Sequence, residues 1–260
     1  MIFPSFLSKT NKTTIGICAP SAGVGHKIDS FDKSLEALKS AGFKLLETKS
    51  VRNIGEKASS AEVRANEFNE LVLNDDIGII LSASGGDYCM EVLPYINTDN
   101  FLTNPKWVCG SSDPTNVVYY LTTKLDIATI YGVNAGSFDW SPLHEFQKNA
   151  IAILKGNLIE QSSFDYYDAS RSWSDNISLD TKVYWDTLPK APVDVSGRLI
   201  GGCSDCISNL IGTPYDGTSD FVDKYAEEGI IWYFDPFETS SISFHLLMLK
   251  MKYAGYFRGA

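Results

Sequence analysis

Three short stretches of this 260-residue chain hold residue types that could carry acyl-transfer chemistry. The first is Lys106-Trp107-Val108-Cys109-Gly110-Ser111-Ser112-Asp113-Pro114-Thr115-Asn116. Trp107, Val108 and Cys109 read as the end of a short buried strand. From Pro114 to Leu125 the pattern turns helical, with Val117, Val118, Tyr120 and Leu121 on or near one face. Pro114 suits the first helical position, where a missing N–H costs nothing. Gly110 to Asp113 is therefore a strand-to-helix turn. A hydroxyl there projects from a sheet edge beside the positive end of a helix, where a serine can act as a nucleophile. Ser112 is the candidate. The same residues also suit a tight turn with Asp113 or Ser112 as helix N-cap.

The second stretch is Ser84-Gly85-Gly86-Asp87, which ends an apolar run from Ile77 to Ala83. Paired glycines let a backbone approach a ligand and offer bare N–H groups, as an oxyanion hole needs; a plain turn uses them too. The third is Asp235, closing the run Gly229-Ile230-Ile231-Trp232-Tyr233-Phe234. A carboxylate there could orient a histidine base, or serve as a cap or turn Asp before Pro236. Other constellations are weaker. Cys203-Ser204-Asp205-Cys206 is one CxxC with neither a second pair nor paired histidines, and reads as small buried residues. Gly23-Val24-Gly25 lacks the third glycine of a dinucleotide fingerprint. His26, His144 and His245 have no spacing that argues for base catalysis; His144 opens a helix.

The elements that must position these groups alternate. Strands are expected over residues 13–19, 43–47, 77–83, 107–109 and 127–131, and helices over 29–41, 114–125 and 143–154. Gly42 closes the first helix, and Ser59 to Glu62 has capping-box spacing for a helix through Phe68, Leu71 and Val72. A short helix runs through Met90, Val92 and Leu93. Near-continuous apolar strands between helices indicate a mostly parallel sheet covered on both faces, an α/β fold. Such folds place their sites at the carboxyl ends of the strands, where all three stretches lie. Residues 162–192 are polar and aromatic (Tyr166, Tyr167, Trp173, Tyr184, Trp185) without clear periodicity, so they read as a linker or functional loop set. A second unit follows, with a strand over 193–200, a turn over 201–206, a short helix over 207–211, the strand ending at Asp235, and a helix over 241–253. The expected division is 1–165, 166–192 and 193–260.

Hydrophobic residues make up 44% and charged residues 21%, ordinary values for a globular chain. The formal net charge of −10, with no basic cluster, argues against nucleic acid or an anionic membrane as partner. No apolar run reaches a membrane span, and the first residues lack the parts of a signal peptide. The five cysteines sit mostly in apolar strand-like text and read as reduced thiols, which suggests a cytoplasmic protein.

Short blocks in fixed order give the chain a family likeness. They are Ile17-Cys18-Ala19-Pro20-Ser21, Arg64-Ala65-Asn66-Glu67-Phe68, Ser84-Gly85-Gly86 with Leu93-Pro94-Tyr95-Ile96, and Lys106 through Asp113. Then come Ile130-Tyr131-Gly132, Gly197-Arg198-Leu199-Ile200-Gly201-Gly202 with Asn209-Leu210-Ile211-Gly212-Thr213, and Gly229-Ile230-Ile231-Trp232. The chain resembles the LD-carboxypeptidase family of serine peptidases, which includes the microcin C immunity peptidases. The resemblance implies an N-terminal α/β domain, a smaller C-terminal domain, and a Ser-Glu-His triad in the cleft between them. Ser112 falls on the nucleophile, the Gly86 and Asp113 amides on the oxyanion hole, and Asp235 on the glutamate. Gly85, Ser84, Trp173 and Trp185 are the expected substrate contacts. The implied substrates are a murein peptide ending in a D-amino acid or a microcin-like aminoacyl nucleotide, with no metal or organic cofactor and with a homodimer as the assembly. Two departures stand out. The glutamate is an aspartate, and no histidine follows His245, so the C-terminal domain reads as incomplete and the base as missing. Ser84 and Asp87 also depart from the family's Arg-Gly-Gly-Tyr. The sequence thus leaves two readings: a serine carboxypeptidase, or an impaired member that binds a peptide or nucleotide-like ligand without turnover.

Overall fold

A computed structural model describes residues 1–6, 13–170, 177–188 and 190–260. Five strands form one parallel sheet: β1 (Thr14–Cys18), β2 (Lys44–Glu47), β3 (Ile77–Ser82), β4 (Trp107–Gly110) and β5 (Ile130–Tyr131), in the order β2-β1-β3-β4-β5. The order reverses at β1, so a crevice opens beyond the carboxyl ends of β1 and β3, as doubly wound sheets require. Helices α1 (Ile28–Ser40), α2 (Ala61–Leu73), α3 (Thr98–Thr103), α4 (Thr115–Leu125) and α5 (Glu145–Leu154) complete this unit.

Alternation along the strands assigns the faces. Ile15, Ile17, Ile79 and Leu81 join Phe31, Leu35 and Leu38 of α1 and Ile151 and Leu154 of α5 in one apolar cluster. Cys18 and Ile80 face the other way, into a cluster with Phe68, Leu71 and Val72 of α2 and Val117, Val118 and Leu121 of α4; Ile77 joins that cluster too, at the strand's start where the β1–β3 register shifts. Ile77 to Ser82 is buried at every position, so both faces of β3 are covered and its text shows no polar alternation.

The C-terminal unit pairs β8 (Arg198–Cys203) with β9 (Ile230–Asp235) in parallel, flanked by α6 (Ser204–Leu210), α7 (Thr218–Tyr225) and α8 (Ser241–Tyr253); between the units lies a two-stranded antiparallel ribbon, β6 (Tyr166–Tyr167) with β7 (Thr181–Lys182). Ile200, Ile207, Leu210, Phe221, Tyr225 and Ile230 enter the same cluster as α2 and α4, so the two units share one core.

Several boundaries differ from the sequence reading. The N-cap of α2 is Ser60, whose hydroxyl accepts from the Val63 amide; the carbonyl of Ser59 is instead taken by the Arg64 side chain. The segment Cys89–Tyr95 is a 3-10 helix, in keeping with the missing N–H of Pro94. Strand β5 holds only two residues, while Ile127 makes an isolated bridge to Ile2. Gly201 and Gly202 lie inside β8 opposite Tyr233 and Phe234, where a turn was expected. Helices α3 and α7 were not anticipated.

Candidate active site

The three stretches meet at one end of the sheet. Strand β4 runs out at Gly110, and Pro114 precedes α4 with φ −52° and ψ −13°, one position before the helix rather than in it. Ser112 in the turn between has φ +61°, the left-handed region, which a non-glycine residue enters at a cost of about 1–3 kcal/mol. Strained strand-to-helix turns of this kind present a nucleophile at a sheet edge. Ser112 is half-buried, and the buried Asp113 follows it.

Both backbone groups of Ser112 are held. Its N–H donates to the Tyr131 hydroxyl at 3.3 Å, and that hydroxyl donates to Asp235 Oδ2 at 2.6 Å. Its carbonyl accepts from Thr115 Oγ1 at 2.5 Å and from Cys206 Sγ at 3.6 Å. Asp235, Cys206 and Cys203, whose amide donates to Thr115 Oγ1 at 3.2 Å, all belong to the C-terminal unit. Asp235, expected either to orient a histidine or to serve as a cap or turn residue, accepts a hydrogen bond from the Tyr131 hydroxyl.

The glycine pair lies against this turn. A methyl group placed on Gly85 would stand 3.2 Å from both Cβ and Oγ of Ser112. Gly86 has φ +144°, and a methyl there would sit 2.3 Å from Ser21 Oγ and 2.9 Å from the Ala22 amide. The backbone N–H groups of Gly86 and Asp113 have no hydrogen-bond acceptor among the described residues. Ser84 Oγ is engaged with the carbonyls of Ala22 and Gly85, at 2.9 and 3.2 Å.

Beneath the turn sits the Asp113 carboxylate. It accepts from the Ser21 hydroxyl, from the Cys89 amide at 2.7 Å and from Asn116 Nδ2 at 2.9 Å. Burial pushes this carboxyl above its ordinary value, and the bonds from Ser21 and Cys89 only partly offset it. Arg64, 0% exposed, braces the same loops by donating to the carbonyls of Pro20 and Tyr88 at 2.5 and 3.0 Å and pairing with Glu91 at 2.7 Å. Tyr131, Arg64 and Ser21 are thus parts of the site that motif reading missed. Tyr131 stood in a family block, but nothing in its spacing marked its hydroxyl.

All five cysteines are buried free thiols. Cys203 is held below its ordinary pKa by a hydrogen bond from Cys206, whose own thiol is raised by that bond and by burial. Among the described residues no group of three or more His, Cys, Asp or Glu side chains could hold a metal ion. His144 caps α5, its Nδ1 accepting from the Phe146 amide at 3.2 Å, and packs against Trp140, Phe146 and Phe164. His26 and His245 are exposed, and none of the three is hydrogen bonded to Ser112 or Asp235. Trp185 is 80% exposed and Tyr184 82%; Trp173 lies outside the described residues. Among the described residues no helix is long and apolar enough to cross a membrane.

Residues 15–132 match the model of the LD-carboxypeptidase N-terminal domain. The chain is 31% identical over 198 residues to the microcin C7 self-immunity protein MccF of Escherichia coli, covering 71% of this chain and 57% of that protein. It is 25% identical over 213 residues to a putative carboxypeptidase of Vibrio cholerae, covering 77% and 63%. The chain therefore spans less than two thirds of the length of either relative. A structure of MccF in complex with glutamyl sulfamoyl guanosine superposes with a TM-score of 0.69 at 24% identity, over 100% of this chain and 77% of that one.

Proposed function

Through residues 15–132 the chain belongs to the LD-carboxypeptidase family, and on that premise we propose that it is a serine-type amide hydrolase of the carboxypeptidase class with Ser112 as nucleophile. The observation that carries the reading is the geometry of Ser112, strained at φ +61° against the Gly85–Gly86 loop. In this reading the Ser112 hydroxyl attacks a carbonyl carbon seated over the turn while a base removes its proton. The unengaged Gly86 and Asp113 amides receive the developing oxyanion, which preorganised donors stabilise more than they stabilise the ground-state carbonyl. The amine leaves with a proton, and water then releases the acyl group from Ser112. The substrate favoured by the relatives is an aminoacyl nucleotide of the kind seen bound to MccF, with a murein peptide ending in a D-residue as the other member of the class. Trp185 would contact the distal part of such a ligand, in a soluble protein acting as a dimer in the cytoplasm.

One observation favours a second reading, binding without turnover: His26, His144 and His245 are all away from Ser112 in their hydrogen bonding. Calorimetric titration with an aminoacyl sulfamoyl adenosine, followed by chromatography of the products, tests both. Binding with slow cleavage that Ser112→Ala abolishes is expected. Binding without any cleavage selects the second reading, and cleavage that persists in Ser112→Ala removes Ser112 as nucleophile.

A further inference from the structure

The left-handed Ser112 turn is held by a hydrogen-bonded chain that crosses from one unit to the other. Tyr131 has one proton and two lone pairs on its hydroxyl. Asp235, when ionised, can only accept, so the phenol proton is committed to Oδ2 at 2.6 Å. The phenol oxygen is then left as an acceptor, aimed at the Ser112 N–H at 3.3 Å. The sense of the chain is fixed from end to end: amide to phenol, phenol to carboxylate. Bonds in such a chain polarise one another, and the carboxylate makes the Tyr131 oxygen a better acceptor.

The surroundings keep the phenol in place. Tyr131 pairs with Gly110 across the sheet, two residues before Ser112, and its ring lies 5.6 Å from that of Tyr233. Burial and the Asp235 bond push the Tyr131 pKa up, so it stays a neutral donor. Asp235 stands at the end of β9 opposite Cys203, whose neighbour Cys206 touches the Ser112 carbonyl.

We propose that Tyr131 is a positioning residue which couples the Asp235 carboxylate to the backbone of Ser112, so that this carboxylate steadies the nucleophile's turn rather than a histidine. The inference rests on the reading of Ser112 as nucleophile. It also explains how an aspartate can serve where a longer glutamate is expected: the phenol spans the missing distance. A second consequence is that the Ser112 amide is occupied, which leaves oxyanion stabilisation to Gly86 and Asp113.

The test is Ser112-dependent hydrolysis of an activated ester, p-nitrophenyl acetate, which demands less of the base than an amide does. The wild-type chain is compared with Ser112→Ala, Tyr131→Phe, Asp235→Asn and the Tyr131→Phe/Asp235→Asn double variant. Tyr131→Phe keeps the ring and removes only the relay. Each single variant is expected to lower kcat about tenfold, with KM within about twofold, and the double variant to lose no more than either single, because groups acting as one unit are non-additive. A Tyr131→Phe variant with wild-type kcat, or a double variant whose loss is the product of the two single losses, overturns the inference while leaving the nucleophile standing. A wild-type rate equal to that of Ser112→Ala removes the nucleophile and the inference together. If Tyr131→Phe does not fold, Asp235→Asn decides alone, since Asp235 is exposed: an unchanged kcat overturns the coupling.

Discussion

Replacing Gly86 by alanine separates two costs that the site loads onto one residue. The first is conformational: φ at Gly86 is +144°, and an L-residue held in such a region costs about 1–3 kcal/mol. The second is steric. The new methyl would meet Ser21 Oγ at 2.3 Å and the Ala22 amide nitrogen at 2.9 Å. Neither neighbour is free to move. Ser21 is fully buried, donates to Asp113 and accepts from the Tyr88 amide at 3.2 Å, while the Ala22 amide donates to the Gly85 carbonyl at 3.3 Å. Overpacking of this kind adds about 1–3 kcal/mol. Gly42 is the control: its φ is +98°, and a methyl there meets nothing within 4 Å. Gly42→Ala therefore loses only the conformational part, about 1–3 kcal/mol, and Gly86→Ala about 2–6 kcal/mol. Urea unfolding followed by circular dichroism, at unchanged m, measures the difference. Equal losses in the two variants would show that the Ser21–Ala22 contact yields freely and that the loop is not packed as described.

Three further outcomes are expected. Arg64→Met removes the donor to the Pro20 carbonyl at a fully buried position, while the Tyr88 carbonyl keeps the Glu91 amide at 3.3 Å and Glu91 keeps Lys57 at 2.5 Å, and it should cost about 1–3 kcal/mol in the same unfolding assay; a loss under about 0.5 kcal/mol would refute the bracing role. For Asp216, burial pushes the carboxyl up, but hydrogen bonds from Thr218, Tyr256 and the Gly212 amide together hold it below its ordinary value. A lowered folded pKa gives stability that is present above the unfolded value, about 3.9, and lost as pH falls through the folded one, so Asp216→Asn should flatten the acid end of the stability–pH curve; a curve of unchanged slope there counts against it. Finally, with no histidine bonded to Ser112, amide turnover should lie several orders of magnitude below ordinary enzyme rates of about 1–1,000 per second, while ligand binding survives. Turnover in that range that Ser112→Ala abolishes would show that a base reaches Ser112 after all.

Much of this was legible in the residues because apolar runs and turn chemistry are local signals. The Ile77 strand, the Trp107 strand with its turn, and the Asp235 strand end all came from short-range pattern. Helix α3 was missed because it is six residues long and opens on Asn97, whose side chain caps it by accepting from the Asn100 amide at 3.1 Å. Helix α7 was missed because Asp216 and Gly217 before it read as loop, although Phe221, Val222 and Tyr225 carry its buried face. Gly201-Gly202 looked like a turn, since nothing local reveals that β9 pairs alongside. The Tyr131–Asp235 contact joins residues 104 positions apart, and no periodicity reports a bond of that span.

The shared core has a consequence for how the chain could be cut. Ile200, Ile207, Leu210 and Phe221 are packed into the cluster built by α2 and α4, whereas Leu158, Tyr184, Trp185 and Leu188 on the connecting segment are at least four-fifths exposed. The described residues of the link thus contribute little buried surface, whereas the interface between the units is built from core side chains. A nick at Leu158 or Trp185 would turn an intramolecular contact into a bimolecular one without removing a core side chain. The two fragments would then complement each other, and the clamp on Ser112 would exist only in the reassembled pair. Ester hydrolysis by mixed fragments would become a direct gauge of their association, with a concentration dependence that the intact chain lacks.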